Sequence, residues 1–132
     1  MGESYSDKVM EHFTNPRNVG ELDKPDCQGK AGNPVCGDVL QLQLKIENNI
    51  VVDAKFKTLG CAAAIATSSM VTEMVKGKTI EEAIKITNQA VTEALGGLPA
   101  VKRHCSVLAE EALHSAFDDY YKKQGKPNPF KK

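Results

Sequence analysis

The chain has 132 residues, enough for one domain with a real core and too few for two comfortable ones. Lys and Arg number 17 and Asp and Glu 17, so no basic field points to nucleic acid and no acidic one to a cationic partner. Tryptophan is absent, no apolar run is long enough to span a bilayer, and Met1 to Asp7 lack a basic, apolar leader, so the expectation is one soluble cytoplasmic domain over 1–132.

Taken in order, Ser6 reads as an N-cap, with Asp7 in the first turn and Val9, Met10 and Phe13 as the apolar stripe of a short helix that Asn15-Pro16 stops. His12 within it is a surface or packing residue without a metal role. Residues 18–34, rich in Gly, Pro, Asp and Asn, read as loop with one short edge strand around Gln28 to Ala31. Leu40, Leu42, Leu44 and Ile46 then alternate with polar residues, as do Val52, Ala54, Phe56 and Thr58 after the turn Glu47-Asn48-Asn49. That is an antiparallel hairpin with its even-numbered residues facing the core. A helix is predicted from Cys61 to about Lys76, closed by Gly77. Thr79 caps a second with Glu82 as its capping-box partner, and a third runs from Thr87 or Asn88 to Gly96-Gly97. A long helix from about Arg103 to Lys123 turns Leu108, Ala112, Leu113, Ala116, Phe117 and Tyr120 inward and His114 to solvent. Residues 124–132 are a polar, basic tail expected to fray. The expected fold class is α/β in the α+β sense, a small three-stranded antiparallel sheet packed against several helices.

Four cysteines, Cys27, Cys36, Cys61 and Cys105, read as reduced, working thiols, and no Cys-x-x-Cys pair is present. Cys61 follows the break at Leu59-Gly60 and opens a helix, where unpaired N–H groups favour the thiolate. Cys36-Gly37-Asp38 sets a thiol and a carboxylate two residues apart, on one face of an extended chain. If Ile46 pairs near Ile50 or Val52, the hairpin ladder carries Cys36 to Gly60 or Ala62, next to Cys61. Lys102-Arg103-His104-Cys105 repeats the theme, a cysteine at a helix start behind two cations. His104 and Cys105 can share one metal only if the helix has barely begun or if they alternate as ligands. Cys27 stands apart as a loop thiol. Thiolates select iron–sulfur clusters, zinc or copper(I), and a cluster meant to stay normally has four cysteines. Three thiols with Asp38 or His104 in the fourth place make a site that lets its cluster go.

The sequence resembles the IscU/NifU N-terminal family of iron–sulfur cluster scaffolds over nearly its whole length. The matching stretches are Tyr5 to Phe13 with Asn15-Pro16-Arg17-Asn18-Val19-Gly20, Gly32 to Asp38, Phe56 to Ser69 and Leu98 to Cys105. The resemblance implies a small antiparallel sheet covered by helices. It also implies assembly of a two-iron, two-sulfur (2Fe-2S) cluster on Cys36, Cys61 and Cys105, with Asp38 or His104 completing or adjusting the site. A cysteine desulfurase would supply sulfur as a persulfide, and the cluster would pass to apo-proteins, an assembly role rather than an enzyme's. Cys105, behind Lys102 and Arg103, is the leading persulfide acceptor and Cys61 the second; Asp38 is expected to promote release and exchange. Ferredoxin is a further expected partner, and the protein would act as a monomer or homodimer. Leu98, Pro99, Val101 and Lys102 match a chaperone-binding segment, but Ala100 stands where many members have a second proline, which weakens that expectation.

The alternative is a zinc-dependent sulfur carrier of the related SufU group, with Zn2+ on the same ligands and an incoming persulfide displacing one of them. SufU-type chains carry an insertion between the last two cysteine motifs, and Cys61 to Cys105 runs uninterrupted here. A Cys–His hydrolase would need Cys105 and His104 as nucleophile and base, a geometry that sequence neighbours rarely achieve.

Overall fold

Two asparagines fix the register of the sheet. Asn48 and Asn49 take φ of 52° and 66°, the left-handed values that a two-residue hairpin turn needs at both positions. They join β2 (Asp38–Glu47) to β3 (Ile50–Leu59), and β1 (Cys27–Asn33) lies on the other side of β2 in an antiparallel sheet of order β1-β2-β3. The computed structural model describes residues 6–33, 38–60, 62–98 and 104–129.

The alternation in β2 holds as expected, with Leu40, Leu42, Leu44 and Ile46 all buried. In β3 it does not hold throughout. Lys45 pairs with Asp53 but Ile46 pairs with Val51, so Val52 is an extra residue, a β-bulge. Because side chains alternate with period two, that residue moves Val51 into the core and turns Val52, expected inside, out to solvent. Past the bulge the expected parity resumes, and Ala54 and Phe56 are buried.

Both sheet edges are covered. On β1, the Gln28 N–H donates to Asp119 Oδ2 (2.9 Å) and the Lys30 N–H to Ser115 Oγ (3.4 Å) of α5 (His104–Lys123). On β3, Phe56 N donates to the Asn18 carbonyl and its own carbonyl accepts from Gly20 N, each at 2.9 Å, while Val51 exchanges hydrogen bonds with Gly77 and Lys78. Asn18, left-handed at φ 65°, also donates its side-chain amide to Thr72 Oγ1 and Glu73 Oε2 and accepts from Lys76 Nζ. The Asn15-to-Gly20 stretch is thus a strap tying α1 (Asp7–Thr14) to β3 and to α2 (Ala62–Val75).

α2 can sit at the centre because most side chains of its first half, Ala62 to Ala64 and Ala66 to Ser69, are small. Three of its buried hydroxyls return to its own backbone, Thr67 and Ser68 to the Ala64 carbonyl and Thr72 to that of Ser69. Gly77, at φ 84°, ends the excursion after α2 as predicted. α3 (Ile80–Ala83) carries the full Thr79–Glu82 capping box, and α4 (Asn88–Ala94) is capped by Thr87. α5 buries Cys105, Ala109, Ala112, Leu113, Ala116 and Phe117, leaving Leu108 and Tyr120 only half-buried. α1 is capped by Ser6, but its buried face is Val9 with His12; Met10 and Phe13 of the expected stripe are exposed. The Ser6 hydroxyl, which accepts from Val9 N, also donates to the Leu95 carbonyl and so ties the entry of α1 to the end of α4. Among the described residues no helix is long and apolar enough to cross a membrane.

Candidate functional site

The residues flanking Cys36 and Cys61 converge at one end of the sheet. Asn33 closes β1 opposite Asp38, the first residue of β2, and Val39 pairs with Leu59, the last of β3. Gly60 follows, and α2 begins at Ala62. Cys36 and Cys61 themselves lie outside the described residues.

α5 arrives at the same end. Its contacts with β1 run in opposite directions: Gln28 meets Asp119, and Lys30 meets Ser115. From Ser115 back to Cys105 a helix rises about 15 Å, and from Lys30 on to Asn33 a strand advances about 10 Å. The start of α5 is therefore carried to the Asn33–Asp38 end. There His104 is exposed, Cys105 is 1% exposed, and His104 Nε2 lies 3.6 Å from Cys105 Sγ. Neighbours on a helix do not ordinarily approach like this; they do so here because His104 is the first residue of α5, the condition set by the sequence. A helix start also supplies unpaired backbone N–H groups that favour a thiolate. Among the described residues alone, no group of three His, Cys, Asp or Glu side chains gathers as a metal site; two of the three expected thiols stand outside them.

Cys27 is corrected. It is the first residue of β1 rather than part of a loop, it is fully buried, and burial, with Asp119 and Asp26 adding to it, pushes its thiol up to about 12. It also sits at the opposite end of β1 from Asn33, about 20 Å away along the strand. Leu98 is buried and so belongs to the core; Pro99, Ala100, Val101 and Lys102 lie outside the described residues. Beside the site end, Leu59 (73% exposed) and Val19 border an open depression with Val39 and Thr58.

Sequence reasoning missed what holds the start of α5. Ser106, next to Cys105 and fully buried, has its Oγ 2.7 Å from Thr92 Oγ1 of α4. One turn on, the Glu110 carboxylate accepts the backbone and side-chain N–H groups of Asn88 at 2.7 and 2.9 Å. The signal was present as polar residues four apart on both helices, within otherwise apolar faces.

His12 is a packing residue, as expected. Ser69 Oγ accepts the Arg17 N–H at 2.9 Å and is hydrogen-bonded to His12 Nδ1 at 2.7 Å. Burial, then the Arg17 charge, holds the His12 pKa below its ordinary value of 6.5, against the opposing pull of Glu11 and Glu73. The folded state thus binds this proton less readily than the unfolded one. Its contribution to stability is complete above about pH 6.5 and is lost as pH falls through the unfolded and then the folded pKa. Urea midpoints should drop between pH 7.5 and 5, and His12→Asn should flatten that slope; an unchanged slope in the variant would assign the acid sensitivity elsewhere.

Residues 4–127 match the family model described as NifU-like N terminal domain. The chain is 61% identical over 127 residues to iron–sulfur cluster assembly scaffold protein IscU 1 of Archaeoglobus fulgidus, covering 96% of this chain and 83% of that protein. It is 56% identical over 126 residues to the scaffold protein IscU of Haemophilus influenzae, covering 92% and 99%. Of solved structures, an iron–sulfur cluster assembly scaffold protein for the SUF system from Fervidobacterium islandicum superposes with a TM-score of 0.71 at 23% identity, covering 85% of this chain and 95% of that one. At that identity the likeness speaks for the fold, a three-stranded antiparallel sheet with helices packed on it.

Proposed function

The chain belongs to the NifU-like N-terminal domain family, and on that premise we propose that it is a scaffold on which a labile 2Fe-2S cluster is built and from which it is handed to apo-proteins. Cys36, Cys61 and Cys105 hold the cluster, and Asp38 or His104 completes the site. The observation that carries this reading is the His104–Cys105 pair, 3.6 Å apart at the start of α5, at the sheet end whose flanking residues lead into Cys36 and Cys61. The relatives named as scaffold proteins at 56–61% identity support it. Sulfur arrives from a cysteine desulfurase: the Cys105 thiolate attacks the outer sulfur of the enzyme's persulfide, a new S–S bond forms, and the enzyme's thiolate leaves. Exposed Leu59 and Val19 offer apolar surface for a partner to cover during that exchange.

Anaerobic reconstitution with ferrous iron and sulfide tests the reading, with visible absorbance and metal analysis as readouts. A red-brown protein is expected. Zinc that iron and sulfide do not displace, with no cluster absorbance, would favour a sulfur carrier instead. Asp38→Ala sharpens the test. A hard carboxylate is a poor lasting partner for iron already bound to soft sulfide, so Asp38 promotes exchange. Without it the cluster should survive several-fold longer and pass more slowly to an apo-ferredoxin, with the circular dichroism unchanged. Faster loss from Asp38→Ala would make Asp38 a retaining ligand.

A further inference from the structure

α4 and α5 meet along a polar seam. Asn88 and Thr92 stand one turn apart on α4, and Ser106 and Glu110 one turn apart on α5. Each is paired across the contact, Thr92 with Ser106 hydroxyl to hydroxyl at 2.7 Å, and Asn88 with the Glu110 carboxylate at 2.7 and 2.9 Å. The faces around them are apolar, Val91 on α4 and Leu95 at its C-cap, Ala109 and Leu113 on α5. Apolar packing is non-directional and tolerates a small roll of one helix on another; a hydroxyl pair with one member fully buried does not, because rolling strands that member in the core. Ser106 is fully buried and lies in the first turn of α5, where the N–H groups have no helical acceptors and the backbone ladder grips least.

We propose that Thr92 and Ser106 are positioning residues for the cluster site. Their hydroxyl pair fixes the roll of the first turn of α5, and so the direction in which the neighbouring His104 and Cys105 are presented. A sulfur standing about 5 Å from the helix axis moves about 2 Å for a roll of about 20°, enough to spoil a metal–sulfur bond. The proposal rests on the reading of Cys105 as a cluster ligand.

The experiment compares wild type with Thr92→Val, Ser106→Ala and Thr92→Ser. A further variant, Thr79→Ala, removes the capping box at the opposite, Ile50 end of the sheet and serves as the control for general destabilisation. Two quantities are read: the rate at which iodoacetamide labels Cys105 in the reduced, metal-free protein, resolved by peptide mass spectrometry, and the half-life of the reconstituted cluster under a chelator. Losing one buried hydrogen bond should raise labelling about fivefold in Thr92→Val and shorten the half-life by a similar factor. Thr92→Ser should restore both toward wild type, while Thr79→Ala leaves both unchanged despite its lower urea midpoint. Should Thr92→Val fail to fold, Ser106→Ala carries the same comparison, since the hydroxyl it orphans belongs to half-buried Thr92, within reach of water. Labelling equal to wild type, or raised no more than in Thr79→Ala, overturns the proposal. If wild type takes up no cluster, the scaffold reading fails while the labelling ratio still decides the positioning.

Discussion

Cys105→Ala should give a folded protein that no longer keeps its cluster, whereas Cys27→Ala should keep it as wild type does. Burial does not distinguish the two thiols, at 1% and 0% exposed. Position and chemistry do. Cys105 lies in the first turn of α5 beside an imidazole at 3.6 Å, at the sheet end next to Asp38. Cys27 opens β1 at the other end, about 20 Å away along the strand, with its thiol pushed up to about 12 and so fully protonated at neutral pH. Each substitution removes one small buried side-chain group and should lower stability by only about 1 kcal/mol. The cluster half-life is expected to fall more than about a hundredfold for Cys105→Ala, beyond the roughly 10–100-fold that losing an outer-shell partner costs a metal site. The same contrast extends to sulfur uptake. After treatment with a desulfurase and cysteine, mass spectrometry should find added sulfur on Cys105; sulfur on Cys27 alone would sink the assignment.

Local signals were legible where one residue type is physically required. Thr79 with Glu82, Ser6 before Asp7, the Asn48-Asn49 turn and Gly77 after α2 all act on their own neighbours, and each does what its type allows. What the sequence left unread depends on distant parts of the chain. The bulge at Val52 has no local mark, because Ile50, Val51 and Val52 are apolar alike and either parity fits. Met10 and Phe13 read as a buried stripe, but α1 is set down on α2 and on the end of α4 by polar contacts, His12 to Ser69 and Ser6 to Leu95, and these turn the other face inward. Cys27, among loop-forming residues, became a strand residue because β2 and α5 offer it a ladder and a cover.

The site divides the same way. That the residues flanking Cys36 and Cys61 approach one sheet end follows from hairpin register, and even a one-residue bulge near the turn leaves the far end of the ladder on the same side. That α5 delivers His104 and Cys105 to that end follows from nothing local. It needs the direction in which α5 crosses β1, set by Asp119, Ser115 and the close approach of Gly29 to Ala112 and Ala116.

Gly29→Ala tests that crossing directly. A Cβ at Gly29 would fall onto the Ala112 carbonyl oxygen and the amide nitrogen of Ala116, backbone atoms of α5 that no rotamer change can move aside. Helix and strand approach this closely only because β1 presents a glycine and α5 presents alanines at the contact. Overpacking ordinarily costs 1–3 kcal/mol, and a clash with backbone belongs at the upper limit, so a loss of about 3 kcal/mol and roughly 10 °C in Tm is expected. Relief would come from α5 lifting off the sheet, which strains the Gln28–Asp119 and Lys30–Ser115 hydrogen bonds and moves His104 and Cys105 away from the Asp38 end. Cluster half-life should therefore fall even at temperatures where the variant remains folded. A Gly29→Ala protein as stable as wild type would mean that α5 does not lie on β1 at this contact, and the path that brings Cys105 to the sheet end would fail with it.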